Sequence, residues 1–215
     1  MKLLAIEMSR VTALFRLTRR SGQPYMPHIV AQVEERYRFG SAPHSIEELG
    51  GNRAEFGHGL FNGNAIEALE IYNDGIIVTS RSDTNFIDEF IVDLTAWLES
   101  EHDYCMIETH TVSKMYESIL LVETDRDIFQ PLDTYSKIFR MIEKALQDSC
   151  GLEIAYQNFG FALSADQTRN SALKPIPFRF ERKEGIDFSR HNFFTTAPLK
   201  TKQHLEILSR LEQLW

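Results

Sequence analysis

Cysteine is scarce in this chain: two residues, Cys105 and Cys150, among 215. That is too few for a disulfide scaffold and suits a reducing compartment. Long apolar runs are missing too, and none approaches the roughly 20 residues that a membrane-spanning helix needs. The opening Met1-Lys2-Leu3-Leu4-Ala5-Ile6 begins like a secretion signal, but Glu7 and Arg10 cut it short and no small-residue cleavage site follows. These absences give the expectation of a cytoplasmic protein with no membrane partner. Low-complexity stretches and Ser/Gly/Pro linkers are lacking, so residues 1–215 read as one domain. The familiar catalytic fingerprints are absent as well: no P-loop, no G-x-G-x-x-G, no G-x-S-x-G and no H-E-x-x-H. The common NTPase, dinucleotide, serine-hydrolase and zincin chemistries therefore have no foothold.

Aromatics are plentiful, with 15 Phe and seven Tyr. Hydrophobic residues make up 43% and charged residues 25%, which argues for a packed core and against disorder. The net charge of -8 is unevenly laid out. Residues 1–40 carry +4, residues 41–110 carry -12, residues 111–160 carry -3 and residues 161–215 carry +3. Basic ends around an acidic middle suggest a charged surface for a protein or nucleic-acid partner, set against the plainer reading of a solvated surface.

Hydrophobic periodicity gives the elements. Residues 2–18 read as a long strand or two. Pro27 suits a helix start, with Ile29, Val30, Val33 and Tyr37 on one face and Gly40 as the stop. Ser45-Ile46-Glu47-Glu48 is a capping-box pattern before Gly50-Gly51. Residues 65–72 and 76–81 form a hairpin expected to turn at Asp74-Gly75. Asp83 or Thr84 caps a helix with Phe86, Ile87, Phe90, Ile91, Leu94, Trp97 and Leu98 in its stripe. Residues 105–112 and 115–123 suggest a second hairpin turning at Ser113-Lys114. Pro131 and Asp133 open a helix whose apolar face is Tyr135, Ile138, Phe139, Ile142 and Leu146, with Cys150-Gly151 as its stop. Strands are expected over 152–163, 178–182 and 191–196, and a last helix after Thr201 carries Leu205, Leu208, Leu211 and Trp215. The sum is an α+β fold, a mostly antiparallel sheet with about four helices packed on it. Ile76-Ile77-Val78 with its following helix, and Leu120-Leu121-Val122 with the next, hint at a duplicated ββα unit.

Four groups of residues could carry chemistry. Asp166, Glu181 and Lys183 have the types of a metal-dependent nuclease: carboxylates to hold a divalent cation and a lysine for the phosphate charge. Against this, E-x-K is common in charged chains and fits a solvated strand face. His102, Cys105 and His110, near Glu108, have zinc-ligand types, but the spacing matches no finger and no metal site is assigned. His58 between Gly57 and Gly59 could act as acid or base, although the glycines equally suit a bulge. His191, beside Arg190 and near Asp187, has the same ambiguity. Finally, Arg10, Arg16, Arg19, Arg20, Arg36 and Arg38 could meet Arg179, Arg182, Lys183 and Arg190 in one basic pole, with Phe15, Tyr37, Phe178 and Phe180 for stacking.

The reading reached is a non-enzymatic interaction subunit of a larger assembly, without cofactor, docking a protein partner or a second copy through its bipolar charge. The alternative is a nucleic-acid-binding protein or nuclease using the Arg-rich pole. The alternative predicts steep salt dependence. Purified protein would then elute with excess 260 nm absorbance that high salt removes. A clean 280 nm profile would count against it.

Overall fold

Two long strands, β1 (Lys2–Leu14) and β7 (Lys114–Glu123), lie antiparallel at the centre of the computed structural model. The structure describes residues 1–20, 26–44, 53–107, 114–125, 127–129, 134–166, 168 and 174–214. Leu120 and Leu121 point to opposite faces and both are buried, which is why an uninterrupted apolar run suits a central strand. Beside β1 come β5 (Gly75–Ser80), β4 (Asn64–Tyr72) and β3 (Arg53–Phe61). Beside β7 come β10 (Asn192–Ala197), β9 (Phe178–Arg182) and β8 (Gly160–Leu163). The order β3-β4-β5-β1-β7-β10-β9-β8 is antiparallel throughout. A separate ribbon pairs β2 (Arg16–Arg19) with β6 (Tyr104–Ile107).

Four α-helices occur among the described residues: α1 (Met26–Tyr37), α2 (Thr84–Glu101), α3 (Ser136–Cys150) and α4 (Thr201–Leu214). The α+β architecture is as the sequence pattern implied. No helix among the described residues is long and apolar enough to cross a membrane. The α2 stripe buries Ile87, Phe90, Ile91, Leu94, Trp97 and Leu98, and Asp83 Oδ1 caps it by accepting the Asn85 and Phe86 N–H groups at 2.9 Å. Each such side chain contributes roughly 1.5–3 kcal/mol when fully buried. Together with Ile29, Val30, Val33 and Tyr37 of α1 they make one core cluster; Leu120, Val122, Ile128, Phe129, Phe180, Phe193 and Leu208 make a second.

With the β2–β6 ribbon and the 3-10 turn after β9 set aside, the chain order β1-α1-β3-β4-β5-α2 is repeated as β7-α3-β8-β9-β10-α4, and the two half-sheets read outward from the centre in the same order. Counterparts are therefore β1 and β7, β5 and β10, α2 and α4. The expected ββα duplication is not confirmed, because it equated β5 with β7. The contacts at the centre share this two-fold relation. Ser9 lies opposite Ser118, both fully buried. Thr84, the first residue of α2, donates its N–H to Thr201 Oγ1 at 3.1 Å, and Thr201, the first residue of α4, donates its N–H to Thr84 Oγ1 at 3.0 Å. Each threonine hydroxyl thus satisfies an N–H that the other helix leaves free.

Several expectations change. The β4–β5 turn is Asn73-Asp74, since Tyr72 pairs with Gly75. Gly75 serves a different purpose: a Cβ there would sit 2.3 Å from the Ala13 carbonyl oxygen. The second hairpin does not form, because β6 pairs with β2 while both sides of β7 are taken by β1 and β10. Only 160–163 of the expected strand over 152–163 joins the sheet. The capping box at 45–48, the Gly50-Gly51 stop, and the Pro131 and Asp133 helix start lie outside the described residues, as does Ser113.

Replacing Thr84 or Thr201 by valine keeps the shape and strands a buried N–H of the other helix. Each change should lower unfolding free energy by about 1–3 kcal/mol in chemical denaturation. A loss below about 0.5 kcal/mol for both would show that the reciprocal caps are not needed.

Candidate functional site

The three nuclease candidates do not converge. Asp166 lies beyond the Leu163 end of β8, opposite Phe178, whereas Glu181 lies opposite Gly160 at the other end of the same strand pair. Asp166 is occupied locally: the Thr168 hydroxyl and N–H donate to its Oδ1 at 2.7 and 2.9 Å and hold its carboxyl below the usual range. Glu181 faces Arg179 at 3.7 Å, and the Lys183 N–H continues the sheet by donating to the Asn192 carbonyl. Among the described residues no three His, Cys, Asp or Glu side chains gather as a metal site. His102 packs edge-on to Trp97, and Cys105 Sγ lies 3.0 Å from Thr18 Oγ1; Glu108 and His110 lie outside the described residues.

His58 sits within β3 in a left-handed conformation, with φ of 59°, and the register with β4 is the same on either side of it. The flanking glycines make room for neighbours: a Cβ on Gly59 would lie 2.4 Å from the Phe39 ring. His191 closes a short 3-10 turn, donating its N–H to the Phe188 carbonyl, while Asp187 caps that turn by accepting the Ser189 N–H.

The basic residues are dispersed. Arg16 and Arg19 are on the β2–β6 ribbon and Arg20 follows it. Arg36 and Arg38 are at the end of α1, where Arg36 pairs with Asp93 at 3.1 Å and lies over Trp97 at 5.0 Å. Burial and its hydrogen bond to Asp93 push the neighbouring Tyr37 hydroxyl above its ordinary pKa. Arg10 lies between Glu117 and Thr79, on the face of β1 opposite the buried Ser9 and Val11. Arg179 shares that face three strands away, roughly 14 Å. Arg190 is exposed in the 3-10 turn and Lys183 is half-buried. Arg182 is inside: 3% exposed, its guanidinium donates to Asp127 Oδ2 at 2.7 Å and to the carbonyls of Asn158 and Phe188, with Phe129, Phe188 and Phe193 around it. It fastens the loop after β7 to β9, and its charge is not presented to a partner.

Two polar clusters that sequence patterns had not singled out flank the centre. Asp88 of α2 joins Lys114 and Lys200 at 2.6 and 2.8 Å, with the Tyr116 hydroxyl also donating to it. Burial disfavours the Asp88 charge, but the two lysines outweigh it and hold the carboxyl below its usual range. His204 of α4 is fully buried, with Nδ1 2.8 Å from Ser118 Oγ and Nε2 2.9 Å from Thr195 Oγ1. Burial lowers its pKa to about 4. The hydroxyls have carbonyl acceptors of their own, Leu199 for Ser118 and Arg179 for Thr195. The counterpart of His204 in α2 is Ile87, so this histidine occupies a core position, closed to substrate.

The most distinctive surface lies in the second half. The α3 helix has a strong apolar face yet buries none of its residues fully. Its counterpart α1 buries Ile29, Val30, Val33 and Tyr37. In the second half Ile128 and Phe129, from the loop after β7, enter the core instead, and Phe129 packs on Phe161, Phe180 and Phe193. The α3 helix leans on the segment that follows it: Glu143 accepts the Tyr156 N–H at 2.7 Å, and Gln147 reaches Glu153. Phe139, Glu143 and Leu146 face inward, leaving Ile138, Met141 and Ile142 outward. Nine of the sixteen exposed large hydrophobics among the described residues fall within 135–163: Tyr135, Ile138, Met141, Ile142, Leu152, Ile154, Tyr156, Phe159 and Leu163. Residues 154–165 carry no Asp, Glu, Lys, Arg or His, a signal visible in the sequence and easily passed over as an ordinary strand.

No protein-family model matches the chain, and neither curated proteins nor solved structures provide a match.

The buried histidine gives a pH test. Above pH 6.5 His204 is neutral in both states. As pH falls below 6.5 the unfolded chain takes a proton that the native one refuses, so stability drops by about 1.4 kcal/mol per pH unit down to about pH 4. His204→Leu should remove that slope and change stability little at pH 8, because Ser118 and Thr195 keep their carbonyl acceptors. Denaturant titrations of both proteins at pH 8, 6 and 4.5 decide it; parallel losses would contradict the assignment.

Proposed function

We propose that this protein is a non-enzymatic interaction subunit of a larger assembly, and that it docks through the apolar surface of 135–163. One observation carries the reading: the half-sheet bearing α1 is covered, whereas its counterpart α3 turns Ile138, Met141 and Ile142 to solvent. An amphipathic helix gains most of its stability from what it packs against, and this one packs against little of its own chain. Monomeric surfaces seldom expose so many large apolar residues within one segment unless something covers them.

The chemistry-bearing residues support the same reading. Asp88, His204 and Arg182 have internal partners and well-defined structural roles. Charge then acts at the rim: Lys137, Arg140 and Lys144 border the apolar face of α3 and would set orientation more than affinity. Docking rests on apolar burial in this account, with bipolar charge as the steering component.

Met141 is 71% exposed and Ile138 52%, so charged substitutions there spare the core. The double variant Ile138→Lys, Met141→Glu should change unfolding free energy by under about 1 kcal/mol. It should weaken capture of the native partner by at least about tenfold relative to wild type. A partner retained equally by both proteins would place docking elsewhere.

A further inference from the structure

We propose that the uncovered surface is closed by a second copy of this chain, through antiparallel pairing of the β8 edge with itself and mutual covering of the α3 faces. The proposal rests on the reading of 135–163 as a docking surface and names its occupant.

The two edges of the sheet are treated differently. At the β3 edge, Arg53 and Glu55 are exposed and charged, His58 breaks the extended backbone with φ of 59°, and Ser41 bridges to Gly57. Charge, backbone irregularity and bridging chain guard an edge against strand addition. The β8 edge is Gly160-Phe161-Ala162-Leu163, with no charge, no proline and no bulge. Its inner side is satisfied. The Phe159 carbonyl accepts the Arg182 N–H at 2.8 Å, and Phe161 and Leu163 lie opposite Phe180 and Phe178. Alternation then turns the N–H and C=O groups of Gly160 and Ala162 outward, away from β9.

This edge is complementary to itself. A two-fold axis through Phe161 sets Gly160 against Ala162 of the second copy, so the outward groups of both bond reciprocally. The same register sets Phe159 against Leu163 of the second copy, an apolar cross-strand pair. Because residues 154–165 hold no charge, no like charges meet across the axis. At about half exposure each, the nine apolar residues present on the order of 800 Å², the share one partner contributes to a standard interface. An isologous contact of this kind closes at two copies.

The test is light scattering behind size-exclusion chromatography on the full chain over a concentration series. The wild type should approach twice 24.9 kDa. Ala162→Pro removes one outward N–H and leaves the β8–β9 bonds in place, since proline is tolerated on an edge strand with that side free. Leu163→Lys puts a charge against Phe159 at a residue that is 62% exposed. Both variants should run at 24.9 kDa with unchanged circular dichroism. If Ala162→Pro unfolds the protein, Leu163→Lys decides alone. A wild type that stays at 24.9 kDa at every concentration overturns the second copy as occupant while leaving docking to another protein intact. A dimer that survives both substitutions, or a species larger than a dimer, overturns the β8 pairing.

Discussion

Everything else in this molecule is hung on the antiparallel pairing of β1 with β7. Each strand has a neighbour on both sides, so the pair carries two half-sheets in opposite directions. The same pairing sets Ser9 against Ser118 and brings the starts of α2 and α4 together, where Thr84 and Thr201 exchange N–H donations. Buried hydroxyls at a helix start are costly unless every donor and acceptor is met. Here the two-fold relation meets them reciprocally, so neither half is complete at its centre without the other.

The halves share a plan and differ in its completion. The first covers its half-sheet with two helices and gathers Tyr37, Phe61, Phe90 and Trp97 in edge-to-face contacts. The second substitutes a short loop, locked by Arg182 and Asp127, for the helix that would occupy the position of α1. That substitution goes with an α3 that buries none of its residues fully and with Phe159 and Leu163 exposed at the end of the sheet. Docking is then a consequence of how the second core is filled, because the surplus apolar surface belongs to elements the fold no longer needs for itself.

Much of this was legible in the residues. Periodicity located α1, α2, α3 and α4, Asp83 announced its cap, and Ile119 to Val122 marked a central strand. Pairing was less legible. The spacing of 105–112 and 115–123 looks like a hairpin, and only competition for the two sides of β7 shows that β6 must pair with β2. The apolar face of α3 was written plainly in Tyr135, Ile138, Phe139, Ile142 and Leu146, but periodicity says that a face is apolar and is silent on whether anything packs on it. The basic pole was a one-dimensional impression: residues near the ends of the chain are separated by the sheet order, and Arg182 is drawn inside by three phenyl rings and two carbonyls. The candidate carboxylates Asp166 and Glu181 failed to meet for a similar reason, because β8 runs antiparallel to β9 and carries them to opposite ends.

The most direct measurement is hydrogen–deuterium exchange on the full chain, first dilute and then in its associated form. The account predicts slowed exchange concentrated in α3 and 151–163, with the Gly160 and Ala162 amides among those most affected. Unchanged exchange there, with new protection at the β3 edge or on the sheet face that carries Arg10 and Arg179, would contradict it.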